Sequence, residues 1–458
     1  MRPLLLGLLI ATTLMAQEWS RFRGPNGSGI ATGANYPTEF SPTKNLAWRT
    51  PVRPGKSSPV LTKTHIFLTA FQDEKLYTQA FSRATGKLLW ERAEPRPKKE
   101  SVNLLNHPAA LTPTTDGDNI YVFFKELGLL SYSASGKLRW RAPIDLPNNS
   151  QGLGASPILA GDSVIIQVDQ MTNSYLAAYS KSNGELRWKI ARDESEGWST
   201  PLLHQRPGQP LQIITAGDGK IGGHLIADGK RTFTFPGASP AMVASPILDG
   251  NTVLAFGYGY NGAIPFSSQL ARKDKNKDGR INRDEYTRAD NVLASVADYV
   301  GNRDGEVTED EWIEWGKHIA GGTSLVAVNL ATPQPAQLWR TDKGFEGVIP
   351  SPLLHDGLIY VVRNGGILTA YDSKTGQPTK SARITGALGG YSASPVLANG
   401  LLYFASEEGK ISVVRPGRDW EVLQVNDVND PLFATPALSA GRIYARGHDA
   451  LFCFAAQE

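Results

Sequence analysis

A Ser-Pro or Thr-Pro pair ahead of a short apolar run occurs eight times: Ser58-Pro59, Thr112-Pro113, Ser156-Pro157, Thr200-Pro201, Ser245-Pro246, Ser351-Pro352, Ser394-Pro395 and Thr435-Pro436. Successive prolines lie 54, 44, 44, 45, 106, 43 and 41 residues apart. A repeat of about 40–50 residues is the period of a four-stranded propeller blade. Eight starts predict eight blades, and the doubled interval predicts an insertion in the fifth.

The sixth copy shows how one repeat makes four strands. Pro352 opens the inner strand, where its missing N–H costs no ladder bond. His355-Asp356-Gly357 and Asn364-Gly365-Gly366 are turn signals, and the β-branched and aromatic residues 358–362 between them read as a buried strand. Residues 367–371 form the third strand, and the hairpin 373–376 uses Gly376 for a positive φ. Other copies then end in Trp90, Trp140, Trp188 and Trp339. A large ring at the same place in successive outer strands suits packing between blades, so these tryptophans read as core. The fourth and sixth copies lack that Trp, and Trp420 of the seventh is offset. The last copy stops after residues 451–454, a third strand. Residues 45–49, with Trp48 in the tail position, are expected to supply its fourth strand and remove an open sheet edge. The chain therefore divides into a signal peptide (1–16), an N-terminal extension (17–45) and a propeller (46–458) interrupted by an insertion (263–322).

The 458 residues carry a formal net charge of +3, too small to suggest a nucleic-acid partner. Arg92, Arg96, Lys98 and Lys99 are interleaved with Glu91, Glu94 and Glu100 and read as a solvated loop. Arg2, the apolar residues 4–14 and small Ala16 read as a secretory signal with its cleavage site, and the apolar run is too short to span a bilayer. With no Cys near that site, a lipid anchor is not expected there. The expected location is periplasmic or secreted, with no transmembrane segment after signal cleavage. Cys453 is the only cysteine, so an internal disulfide is excluded, and its place between Phe452 and Phe454 reads as a small buried apolar residue.

Inside the insertion, Asp274-Lys275-Asn276-Lys277-Asp278-Gly279-Arg280-Ile281-Asn282-Arg283-Asp284-Glu285 fills every diagnostic position of an EF-hand calcium loop. Side-chain oxygens of Asp274, Asn276 and Asp278 converge as the loop curls, and Gly279 permits the sharp turn. Arg280 gives its carbonyl, Asn282 reaches the ion directly or through water, and Glu285 closes the sphere with both oxygens. Its four acidic side chains are balanced by Lys275, Lys277, Arg280 and Arg283, so weak binding, on the order of 10⁻⁴–10⁻³ M, is expected. A second copy runs from Val300 to Glu311, with Asn302, Asp304, Glu306, Thr308 and Glu311 in ligand positions but Val300 at the first. It is expected to be a structural partner loop that binds weakly or not at all. Ala289, Val292, Leu293, Val296 and Tyr299 predict one face of a single helix joining the loops.

The tails Ser135-Gly136-Lys137-Leu138-Arg139-Trp140 and Asn183-Gly184-Glu185-Leu186-Arg187-Trp188 resemble the quinoprotein-like (PQQ-like) β-propeller repeat family over roughly residues 46–458. The opening from Trp19 to Gly29 is similar to a leader of its secreted bacterial members. The resemblance implies an all-β, eight-bladed propeller, here with a small α-helical EF-hand insertion in blade five. The family includes pyrroloquinoline quinone dehydrogenases and the propeller lipoprotein of outer-membrane barrel assembly. Those dehydrogenases hold the quinone between a Trp and a disulfide of adjacent cysteines. A single Cys453 excludes that clamp, so PQQ is not expected as a cofactor.

The residues favour a binding or scaffold propeller with calcium as its cofactor. The alternatives are a quinoprotein-like oxidoreductase using the central funnel and an envelope-assembly factor resembling the barrel-assembly lipoprotein. No nucleophile–base pair or His-rich cluster is visible, and no catalytic residue is assigned. A protein or saccharide ligand is expected at the propeller face, where loops enter the innermost strands. Asn106, His107, Trp198, Glu346 and Tyr391 are candidates there, each also readable as rim packing, while His107 and His204 are expected at the surface or in turns.

Overall fold

A computed structural model describes residues 18–33, 35–98, 106–149, 151–259, 265–287, 290–319, 321–342 and 349–456. The signal segment lies outside these residues. The 32 described strands form eight four-stranded antiparallel sheets, each ordered as in the chain except the last. Blade six, for example, runs Leu353–His355, Leu358–Arg363, Ile367–Asp372 and Pro378–Arg383. The eighth sheet takes Ala437–Ser439, Arg442–Arg446 and Ala450–Ala455 from the C-terminus and adds Leu46–Pro51 from the N-terminus as its outer strand. Trp48 pairs with Cys453 and Arg49 with Phe452, so the expected ring closure is present.

The core lies between blades. Tyr121 and Phe123 of blade two pack with Val164 and Ile166 of blade three, and Phe67 of blade one packs with Ile120 and Val122 of blade two. The tail tryptophans extend this packing outward by a specific device. Trp48, Trp90, Trp140, Trp188 and Trp339 lie against Gly86, Gly136, Gly184, Gly229 and Gly376, each in a hairpin of the next blade. The indole N–H of Trp90, Trp140, Trp188 and Trp339 donates to a carbonyl of that hairpin at 2.7–2.9 Å. The repeated Gly and Trp are thus halves of one joint. Blade four has no tail Trp and the hairpin of blade five has no Gly, so the joint is missing from both sides together. Between blades six and seven, Trp420 fills the slot from the opposite side, and Lys380 sits 4.7 Å from its ring.

Gly136 combines φ +81 with a Cβ position 2.6 Å from Trp90 Cδ2. Gly136→Ala is expected to destabilise the protein by about 2–4 kcal/mol, through backbone strain and displacement of the indole. Urea unfolding of the variant checks this, and an unchanged midpoint would refute the joint.

Three short helices intervene between Thr252–Gly257 and Ser324–Asn329, the second and third strands of blade five. They are α1 (Phe266–Lys273), α2 (Asn291–Tyr299) and α3 (Glu309–Ile319). Phe266, Ile281, Leu293, Val296, Val307 and Trp312 form their own small core, with Met171 of the propeller packed against it. The helix between the two loops begins at Asn291, shorter than the sequence pattern suggested, because the Asp290 carboxylate accepts from Thr287 N and Oγ1 and holds a turn there. Ala289 lies outside the described residues. No described helix is long and apolar enough to cross a membrane.

Candidate functional site: the channel mouth and the inserted helices

The Ser/Thr-Pro repeat builds a closed hydrogen-bonded ring around the central channel. Ser58 N donates to Thr112 Oγ1, Thr112 N to Ser156 Oγ, Ser156 N to Thr200 Oγ1 and Thr200 N to Ser245 Oγ. Ser245 N donates to Ser351 Oγ, Ser351 N to Ser394 Oγ, Ser394 N to Thr435 Oγ1, and Thr435 N returns to Ser58 Oγ, with all eight bonds at 2.9–3.1 Å. The proline that follows has no N–H to offer the inner strand, so the hydroxyl residue is the last that can bond sideways. Each bond contributes about 1 kcal/mol and fixes the blade spacing. All eight hydroxyls accept, and none donates its proton to an acceptor among the described residues.

A cavity of about 330 Å³ opens above this ring. Its wall takes one residue per blade, two positions ahead of each ring residue: Lys56, Ala110, Gly154, Trp198, Val243, Ile349, Ser392 and Phe433. Residues two apart in extended chain share a face, which is why these positions and the ring both reach the channel. Ala110, Gly154 and Ser392 are small whereas Trp198, Val243, Ile349 and Phe433 are bulky, so the wall is lopsided and mostly apolar. Trp198 is fixed by its N–H to Met242 O at 3.0 Å and its indole N–H to Gly152 O at 2.9 Å. Gly154 leaves room for it, since a Cβ there would lie 2.9 Å from Trp198 Cβ. Lys56 Nζ stands 4.6 Å from the Phe433 ring centre, and burial lowers its pKa against the attraction of Glu407.

Phe22 also reaches this cavity, because the N-terminal segment crosses the channel. Trp19 and Ser20 accept from Leu61 N and Thr115 N of blades one and two. Asn26 exchanges two hydrogen bonds with Leu203 of blade four, and Gly29 and Ala31 bond Leu397 of blade seven.

The inserted helices stand against the rim of the same mouth. A cavity of about 220 Å³ lies between Val300, Gly301, Glu314 and Trp315 on one side and Met171, Ser195, Glu196, Trp198, Pro240 and Ala241 on the other. Trp198 therefore borders both cavities. Within the insertion, Ile281 and Val307 exchange backbone bonds at 3.0 Å, tying the loops into a short antiparallel pair. In the first loop Asp274 accepts from Lys277 N and Gly279 N, and Gly279 has φ +81. Asn276 and Asn282 both donate to Asp278 Oδ2, at 2.9 and 2.7 Å. Glu285 is buried and accepts from Lys275 N, Asn276 N and Asn282 N. These donors, Asn282 foremost, hold Glu285 below the usual carboxylate range, and Asn282 and the Arg280 N–H do the same for Asp278. Arg280 is exposed, and its side chain pairs with Glu306 at 3.1 Å. Among the described residues no cluster of three or more His, Cys, Asp and Glu side chains is poised for a metal; the loop mixes its carboxylates with the amides of Asn276 and Asn282.

The second loop is closed in the same manner. Glu311 accepts from Asn302 N, Thr308 N and Thr308 Oγ1, while Asn302 donates to Asp304. Val300 at its first position is a buried member of the helical core, and Asp298 pairs with Arg283 at 2.8 Å.

Of the rim candidates, Trp198 and Asn106 line the mouth. Asn106 also ties the loop before blade three through Gln151 O and Gly152 O. His107 accepts from Ala109 N and packs edge-on against Phe71, and burial pushes its pKa down to about 3. Tyr391 is not a rim residue: it is fully buried in the core of blades six and seven and donates to Ala387 O at 2.8 Å. His204 likewise is buried, on the inner strand of blade four, not exposed. Glu346 lies outside the described residues. The sequence reading missed Lys56, Val243, Ile349 and Phe433, although counting back two from each Ser/Thr-Pro would have found them.

A family model described as outer membrane protein assembly factor BamB matches residues 39–170, 79–309, 152–382 and 308–458. The chain belongs to this family of PQQ-like repeat propellers. No curated protein matches. Among solved structures, BamB from Moraxella catarrhalis is 11% identical with a TM-score of 0.58, covering 90% of this chain and 99% of its own. A europium-containing methanol dehydrogenase is 10% identical with a TM-score of 0.61, covering 96% and 98%. A computationally designed protein, Ika8, is 12% identical with a TM-score of 0.56, covering 89% and 98%. At these identities the likeness shows the shared fold.

Proposed function

We propose that the chain is a secreted or periplasmic binding propeller whose channel mouth receives a protein segment and whose inserted helices bind calcium. The composition of the mouth carries this reading. Trp198, Phe433, Ile349 and Val243 form an apolar wall above a floor of hydroxyl donors, with Lys56 at the side. Such a cup suits an apolar side chain carried on an extended peptide whose carbonyls accept from the floor. The family description, an outer membrane protein assembly factor, supports a protein partner and an envelope setting.

Calcium is supported by the donor set of the first loop. Asp274, Asn276, Asp278, the Arg280 carbonyl, Asn282 and Glu285 are hard oxygen ligands in EF-hand order. The loop also has the glycine turn and the Ile281–Val307 bridge of a paired loop. The ion would supply the charge that orders these oxygens. The second loop acts as the partner, because Val300 packs inward instead of offering an oxygen.

The residues do not fit a disulfide-clamped quinone. Cys453 is fully buried beside Trp48 and Tyr444 in blade eight, and no other cysteine exists to pair with it. Incubation of the purified protein with pyrroloquinoline quinone, followed by a dye-reduction assay with alcohols and sugars, separates binder from enzyme. No stoichiometric quinone and no quinone-dependent reduction are expected. Tight quinone or turnover would overturn the binding reading.

A further inference from the structure

The channel is closed beneath its hydroxyl ring. The innermost strand of each blade runs along the channel, so position in that strand is height in the channel. The wall of the mouth stands two residues before the ring, and the N-terminal segment crosses on the ring's other side. Its partners Leu61, Thr115, Leu203 and Leu397 each lie three residues past the ring residue of their blade. Arg21 and Arg23 donate to Pro201 O and Pro352 O, one residue past it. Phe22, between them, reaches the cavity from below. A chain cannot thread the ring, so only a side chain or a chain end entering by the mouth meets the floor.

The lining chooses between the two. All eight ring residues line the cavity. Each hydroxyl already accepts an N–H from the neighbouring blade, which leaves its own proton without an acceptor among the described residues. Lys56 is the only charged side chain of the lining among those residues, and its Nζ is 4.6 Å from the Phe433 ring centre. Glu407, which attracts Lys56, receives a hydrogen bond from Ser392 Oγ and does not line the cavity. Hydroxyl donors and one cation, with no carboxylate, suit an acceptor-only, negative group and disfavour an ammonium. A volume of about 330 Å³ lies at the small end of ligand pockets, with room for a terminal residue rather than a long segment. Only a C-terminal residue carries a carboxylate and an apolar side chain on the same Cα. We propose that the mouth captures the free C-terminus of a protein partner, its carboxylate between Lys56 and the hydroxyl ring and its last, apolar side chain against Trp198 and Phe433. This rests on the peptide-binding reading of the mouth and adds which part of the partner enters it.

Two matched pools of N-acetylated peptides, one ending in a free carboxylate and the other in an amide, test this when passed over the immobilised protein, with retained sequences read by mass spectrometry. The acid pool is expected to be retained at least about tenfold better than the amide pool, and to be enriched in apolar last residues. Trp198→Ala should reduce retention of both pools. Lys56→Met, which keeps an apolar stem and removes the charge, should bring the acid pool down to the level of the amide pool. If Lys56→Met does not fold, the ratio of the two pools on wild type decides. Equal retention of acids and amides, both falling in Trp198→Ala, would overturn the carboxylate proposal and leave the peptide-binding mouth standing. Enrichment of internal Asp or Glu whatever the ending, or an unchanged acid preference in Lys56→Met, would also overturn it. Retention of neither pool would overturn both.

Discussion

Glu285→Gln is expected to weaken calcium binding by about a hundredfold or more. Both Glu285 oxygens face backbone N–H groups of the loop, Oε1 those of Lys275 and Asn276 and Oε2 that of Asn282. Glutamine removes the negative charge and turns one of those oxygens into an N–H donor facing N–H donors. The proposed calcium site would lose its bidentate ligand and the loop its own closure at once. Calorimetry on wild type and variant reads this directly. Absence of calcium heat at millimolar ion in the wild type, or equal affinity in the variant, would defeat the calcium proposal. The sign of the pH dependence follows from the lowered Glu285 and Asp278 pKa values. Their ionised forms persist above the ordinary carboxylate range and are lost only as pH falls below it, so binding is expected to survive at pH 5 and fail in stronger acid. Removing calcium with a chelator should leave propeller melting nearly unchanged, because none of the proposed ligands belongs to a blade.

The second large effect concerns ring closure. A chain beginning at residue 52 lacks the strand Leu46–Pro51 and the crossing segment, leaving three strands in blade eight. It also loses fully buried Trp19, Phe40, packed 4.6 Å from Phe454, and Trp48 from its seat on Gly86. Large buried aromatics each contribute about 3–5 kcal/mol, so the loss exceeds about 5 kcal/mol and rivals the whole stability of a typical domain. Circular dichroism melting is expected to show a non-cooperative or strongly lowered transition. A truncated protein that melts like the intact one would contradict the closure.

Much of this was legible because the repeat records backbone constraints. Pro at a strand start, Gly in a hairpin and Trp in an outer strand each leave a mark at fixed spacing, and the missing fourth strand of the last copy was found by its tail Trp48. Side-chain partnerships across the ring left weaker marks. The hydroxyl ring joins residues 41–106 positions apart, and 377 apart where Thr435 returns to Ser58, and nothing local in Ser58 or Thr112 says that they touch. Tyr391 looked like a rim aromatic because loop aromatics often are, yet its hydroxyl found a carbonyl within its own turn and the ring went into the core. Val300 shows the same limit. As a sequence position it is an empty ligand site, but in space it is core of the insertion, so Val300→Asp would bury a carboxylate among apolar side chains before it could offer an oxygen to an ion. The buried arginines of the crossing segment are invisible to any local pattern, because their acceptors come from blades four and six.

The most direct test of the proposed peptide-binding mouth is quantitative capture of envelope proteins on the immobilised protein, in calcium and in chelator, with wild type, Trp198→Ala, Phe433→Ala and a control substitution at exposed Leu338. The expected result is one protein retained by wild type and by the Leu338 control, and reduced at least about tenfold by either mouth variant while both still melt as wild type. Equal retention by all four proteins would contradict the assignment of the mouth as the binding site.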